Sequence, residues 1–147
     1  RYPAYLVEEA AAFDRYYSIL PEAATAVKSG GCTMHDASEG GIFAGLWEMA
    51  EGAGVGLTID MKKLPLRQET VEVCEYCNVN PYELRSGGSL IIASSEGTAV
   101  VEALRAEGIP ATIVGRFTDS NDRLILNEDE TRYMDRPQRD EIYKEAE

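Results

Sequence analysis

Helix-period and strand-period segments alternate along the chain with glycine or proline between them, and this alternation narrows its fold more than any other feature. Residues 4–17 repeat apolar side chains at Leu6, Ala10, Phe13 and Tyr17, the spacing of one helix face, in an alanine-rich stretch. Pro3 stands where a first-turn proline is tolerated, and Pro21 opens a second short helix that Gly30 and Gly31 end. A short strand over 32–36 leads into a helix from Gly41. There Ile42, Leu46, Met49 and Ala53 line one face with Phe43, Trp47 and Ala50 beside them, a stripe wide enough for a helix covered on two sides. Ser38 is placed to cap this helix and Gly54 to stop it. Val55, Leu57 and Ile59 then alternate as in a strand. Residues 68–77 read as a helix with Val71, Cys74 and Tyr76 inward. After the Ser86-Gly87-Gly88 turn comes a buried strand over 90–93. A helix over 96–107, closed by Gly108, turns Val100, Val101 and Leu104 inward. A strand over 111–117 and a hairpin turn at Ser120-Asn121-Asp122 lead to a last strand over 123–126. The tail from Asn127 is expected to fray or to cover a sheet edge. The chain is therefore expected to be α/β (α+β), with helices layered on a mixed sheet of four to five strands. It reads as a single domain over residues 1–147 with its core at about 30–126, and no repeat or linker divides it.

Charge narrows the partners. Fourteen basic against 26 acidic side chains give a net charge of −12, which repels a phosphate backbone and argues against nucleic acid. The acidic runs at 127–130 and 140–141 read as solvated loop and tail. No apolar run is long enough to span a bilayer and no signal peptide is visible. Three cysteines, an odd number, point to a reducing, cytoplasmic compartment rather than a disulfide-stapled secreted domain. With no initiator Met, the chain reads as a fragment of a longer protein.

The densest chemistry lies in Met34-His35-Asp36-Ala37-Ser38-Glu39-Gly40-Gly41, between a strand and a helix start. A strand end presents Asp36. A helix start offers unpaired backbone N–H groups and the positive end of its dipole, which suit a phosphate. Gly40 and Gly41 allow close backbone approach, and Asp36 and Glu39 are hard oxygen ligands that suit Mg²⁺. The plainer reading is a capping box with two glycines for tight packing. Arg85-Ser86-Gly87-Gly88-Ser89 is by itself a glycine turn into a strand, and gains meaning only beside the first cluster. Cys32 and His35 with Cys74 and Cys77 could supply four zinc ligands, although the two later cysteines fall in a helix and suit apolar positions. His35 is the only histidine, so it is the candidate for any general-base role.

The string His35-Asp36-Ala37-Ser38-Glu39-Gly40-Gly41, the helix carrying Glu48 and Glu51, and Gly54-Val55-Gly56-Leu57 with Asp60 together resemble a known family. Pro65-Leu66-Arg67, Asn80-Pro81, the Ser86–Ser89 turn and Ile113-Val114-Gly115 continue the resemblance, over roughly residues 33–126. The family is the AIR synthase superfamily, in its C-terminal domain, nearest a HypE-like branch linked to hydrogenase maturation. The resemblance implies a PurM C-terminal domain-like fold and a parent whose N-terminal ATP-binding domain is absent from this chain. It implies a homodimer through the N-terminal domains, with ATP in the cleft between the domains. The implied chemistry is ATP-dependent phosphorylation of an amide or carbonyl oxygen of a small-molecule substrate. Carried to matching positions, it implies Mg²⁺ on Asp36, and a second metal near Glu39, which stands in place of the aspartate of the kinase members. It implies nucleotide phosphates near Ser38 and substrate beside Gly87 and Gly88; kinase members carry an acid at the Ser89 position, and Gly40, Gly41 and Ser89 complete the candidate nucleotide- and substrate-binding set. The alternative is a non-catalytic binding or regulatory module that keeps the fold without ATP chemistry.

Overall fold

A computed structural model of the chain describes residues 2–31 and 33–146, the side chains of 145 and 146 excepted. Helix α1 spans Ala4–Ala11 and breaks at Ala12, after which one turn of 3-10 helix covers Phe13–Tyr16. The continuous helix expected over 4–17 is thus two pieces. The second is drawn aside by its neighbours: the Arg67 guanidinium stacks 4.2 Å from the Tyr16 ring centre and 5.6 Å from that of Phe13. Helix α2 spans Leu20–Lys28 and strand β1 Thr33–Asp36. Then come α3 over Gly41–Ala53, β2 over Gly56–Asp60 and α4 over Gln68–Cys77. Strand β3 covers Leu90–Ala93 and α5 covers Gly97–Ala106. Strands β4 over Gly115–Thr118, β5 over Arg123–Asn127 and β6 over Glu130–Tyr133 follow, and a 3-10 helix covers Glu141–Ala146.

The strands form two sheets. Four make a mixed sheet in the order β4-β2-β5-β6, and β1 pairs with β3 in an antiparallel ribbon. β2 is antiparallel to β4 and parallel to β5. The expected hairpin between the strand ending near 117 and that starting at 123 is therefore absent: β2 lies between them. The physical reason is apolarity. Leu57 and Ile59 are 2% and 0% exposed, and a strand buried this fully takes a central place, with polar β4 left at the edge. β6 pairs antiparallel with β5 and covers its outer edge, so this part of the tail does what was expected of it.

Helix α3 is the hinge of the packing. Phe43, Leu46, Met49 and Ala50 join Leu57 and Ile59 of β2 and Ile125 of β5 in the main core, while Ile91 of β3 and Ala37 join from the ribbon. The wide apolar stripe is satisfied by a sheet on one side and the ribbon on the other. Gly45 makes the second contact close, since a Cβ there would lie 2.8 Å from the Ile91 side chain. The ribbon obeys the period of two: Ile91 faces α3, whereas Met34 and Ile92 pack on Ala26 of α2 and on Val100 and Leu104 of α5. The layers run four-stranded sheet, α3, ribbon, then α2 with α5. Tyr76, expected inward, is 78% exposed; Cys74 is the buried residue of α4.

Candidate functional site

The two glycine-bearing clusters lie side by side. Pairing of β1 with β3 sets Asp36 opposite Leu90, and the contact continues past the strands: Ala37 N–H donates to Ser89 O at 3.0 Å and Ser86 N–H to Ser38 O at 3.1 Å. Residues 36–41 and 85–89 thus form one surface at the end of the ribbon. Asp36 and Glu39 are exposed there, and neither carboxylate has a hydrogen-bond or ion-pair partner among the described residues. Ser38 is half-buried between them.

The start of α3 differs from the expectation of open amides. Gly40, in the left-handed region at φ 75°, is the residue before the helix, and no side chain caps it, so Ser38 is not the cap. Instead Gly40 N–H donates to Asp140 Oδ2 at 2.6 Å, Gly41 N–H to Ser38 O at 3.3 Å and Phe43 N–H to Tyr82 O at 3.1 Å. Gly41, also left-handed at φ 69°, sits against the carbonyls of Tyr82 and Leu84. The glycines serve this packing. Gly87 and Gly88 do likewise: Gly87 lies under the Tyr17 ring and Gly88 against the Tyr16 carbonyl.

The residues 140–141 correct the reading of a solvated tail. Asp140 is 3% and Glu141 6% exposed. Besides Gly40 N–H, Asp140 accepts from Arg85 N–H at 3.2 Å and Ile142 N–H at 2.9 Å through Oδ1. Glu141 accepts from Asn80 N–H at 3.0 Å and pairs with Lys144 at 2.7 Å. Burial alone would push the Glu141 carboxyl up; the Lys144 ammonium and the Asn80 amide outweigh it and hold the group below the ordinary glutamate value. These two acids clamp the glycine loop, α3 and the 80–85 turn together. The sequence gives little signal for them, because their partners lie as far as 100 residues away.

His35 is engaged at both ring nitrogens, Nδ1 2.7 Å from Asp36 O and Nε2 2.8 Å from Glu48 of α3. Both partners are acceptors, so the ring ties β1 to α3. Among the described residues no three His, Cys, Asp or Glu side chains gather as a metal site. The four-ligand zinc reading included Cys32, which lies outside the described residues. Cys74 is buried, and burial and then Cys77 push its thiol up, which suits a small core side chain. Among the described residues no helix is long and apolar enough to cross a membrane.

Comparison with known proteins follows the same outline. The family described as AIR synthase related protein, C-terminal domain, matches residues 4–127. Carbamoyl dehydratase HypE of Rhodobacter capsulatus is 40% identical over 85 residues, 55% of this chain and 25% of its own length. The crystal structure of E. coli HypE, a hydrogenase maturation protein, superposes with a TM-score of 0.72 at 26% identity, over 81% of this chain and 40% of that one. A HypE solved in complex with ATP shares the fold, at TM-score 0.67 and 18% identity over 76% of this chain and 37% of that one. The chain spans about a quarter of the R. capsulatus relative and two-fifths of the E. coli chain. By its match over residues 4–127, the chain belongs to the AIR synthase-related protein family as a C-terminal domain.

Proposed function

We propose that this chain forms one wall of an ATP site in a HypE-like, ATP-dependent parent enzyme of the cytoplasm, which phosphorylates an amide or carbonyl oxygen of a small molecule. The observation that carries the reading is the pair of exposed, unpartnered carboxylates, Asp36 and Glu39, beside the 85–89 turn. They fit Mg²⁺, which takes one or two carboxylates and fills its remaining positions with water and substrate phosphate oxygens. Bound there, the ion would neutralise phosphate charge. Asp36 and Glu39 would hold it, and Ser38 between them would approach the phosphates. Gly87, Gly88 and Ser89 would line the substrate side. His35 would fix the end of β1 through Glu48, a positioning role, because both ring nitrogens already face acceptors. Gly40 and Gly41 would shape the loop, their amides being taken by Asp140 and Ser38. Catalysis of this kind is mostly positioning and charge neutralisation. The remaining ligands would come from the parent's N-terminal domain, through which it would also form a homodimer. The solved HypE–ATP complex and the HypE relatives support ATP use.

One observation favours the second reading, a non-catalytic module: the first amides of α3 are occupied by the protein itself. Isothermal titration of Mg-ATP into the parent protein, before and after Asp36→Ala, separates the two. The proposal expects affinity to fall about tenfold or more, the scale of one lost charged ligand. Unchanged affinity and activity would remove Asp36 from the site and leave the module reading.

A further inference from the structure

Arg132, Arg136 and Arg139 line one cavity of about 510 Å³ with Gly40, Phe43 and Ile125. None of the three guanidiniums forms an ion pair among the described residues. Arg15, Arg123, Lys62, Lys63 and Lys144 find a carboxylate, whereas these three, like Lys28, Arg67, Arg85, Arg105 and Arg116, form no ion pair among the described residues; what sets the three apart is that they share one cavity. Aromatic rings hold two of the three instead: Arg132 lies 5.9 Å from the Phe43 ring centre and Arg139 4.6 Å from that of Tyr143. A ring face orients a guanidinium without consuming its N–H donors. Three guanidiniums against two carboxylates, Glu83 and Asp135, leave the lining net positive, so an oxyanion there would gain attraction as well as hydrogen bonds.

We infer that this cavity binds a small organic oxyanion, a phosphate monoester or a carboxylate, through the forked donors of Arg132, Arg136 and Arg139. Guanidinium matches both groups bidentately. The volume lies within the range of small-molecule sites, roughly 300–1,000 Å³. Phe43 and Ile125 give the cavity an apolar floor for the ligand's carbon frame. Glu83 and Asp135 also line it and, bridging to no arginine, are placed to accept from a hydroxyl or amine of the same ligand. The inference stands apart from the nucleotide reading: His35, Asp36, Ser38 and Glu39 do not line the cavity.

The test titrates inorganic pyrophosphate and, separately, succinate into the full chain without magnesium at low salt, followed by amide NMR shifts and calorimetry. Saturable binding that moves the Gly40, Phe43 and Arg132 resonances is expected, and the tighter probe assigns phosphate or carboxylate. The double variant R132Q/R139Q should weaken it about tenfold or more. Both side chains are exposed, so the variant keeps its fold, checked by circular dichroism. R116Q on β4, at the opposite edge of the sheet, should leave binding unchanged. No saturation with either probe up to about 10 mM, weaker than any affinity of use to a ligand site, overturns the inference. So does an equal loss in R116Q, which would mean net charge alone. Shifts confined to residues 86–89 with Arg132 unmoved overturn it too, because the anion would then sit at the ribbon end.

Discussion

Replacing Asp140 by alanine tests the clamp at the glycine loop directly. The carboxylate is 3% exposed and accepts from three backbone N–H groups, of Gly40 at 2.6 Å, Ile142 at 2.9 Å and Arg85 at 3.2 Å. Alanine leaves all three without an acceptor. Ile142 and Arg85 are both exposed and can turn to water, so the loss falls mainly on half-buried Gly40. A buried donor left unmet costs about 1–3 kcal/mol, which puts Asp140→Ala at roughly 1–3 kcal/mol. Against a total stability of about 5–15 kcal/mol this is appreciable, and at roughly 2–4 °C per kcal/mol for a chain of this size it lowers Tm by about 2–12 °C. Asp140→Asn keeps one carbonyl oxygen and should lose about half as much. Thermal and urea denaturation of both variants measure the loss, and amide hydrogen exchange at Gly40 and Arg85 locates it. A melting temperature for Asp140→Ala within about 1 °C of the parent chain, with exchange at both amides unaltered, would refute the clamp.

The Glu141 carboxyl, held below its ordinary value by Lys144 and Asn80 against the upward push of burial, makes stability depend on acid. A group with a depressed folded pKa contributes above its unfolded pKa, and the contribution is lost as pH falls through the folded value. Urea midpoints should therefore drop between about pH 5 and about pH 3, and less steeply in Glu141→Gln; identical slopes would contradict the assignment. Two glycines of α3 should respond oppositely to alanine. Gly41→Ala places a Cβ 2.5 Å from Tyr82 O at φ 69° and should destabilise by about 2 kcal/mol or more. Gly52→Ala meets nothing within 4 Å and should be neutral or stabilise by up to about 1 kcal/mol; equal denaturation midpoints for the two variants would refute the packing argument.

Elements whose signal is local were legible in the sequence. α4 begins and ends where its pattern says, and the double-sided stripe of α3 foretold a helix between two layers. The adjacency of 36–41 and 85–89 was posed as a condition and is met, because β1 and β3 pair. What escaped depends on partners distant in the chain. Asp140-Glu141 looks like a solvated acid pair, since nothing nearby shows that Gly40, Asn80 and Arg85 will present bare N–H groups to it. The turn at 120–122 looks like a hairpin because periodicity cannot show that Leu57 and Ile59 take the central place. The capping role given to Ser38 fell for a related reason: the Ser38 carbonyl, not its hydroxyl, meets Gly41, and a carboxylate from the far end of the chain meets Gly40. The arginine cavity escaped because Arg132, Arg136 and Arg139 meet Gly40 and Phe43 only once the chain is folded.

The insertion of β2 between β4 and β5 has a consequence for assembly. β4 and β5 are neighbours in sequence yet never touch as partners; each waits for a strand made some 60 residues earlier. During synthesis β2 leaves the ribosome as an apolar strand with both edges bare, and no local pairing shields it until residues beyond 115 emerge. Long-range, partly parallel closure of this kind is slow and exposes sticky edges meanwhile. Nascent chains halted short of β4 should therefore be the species that chaperones capture.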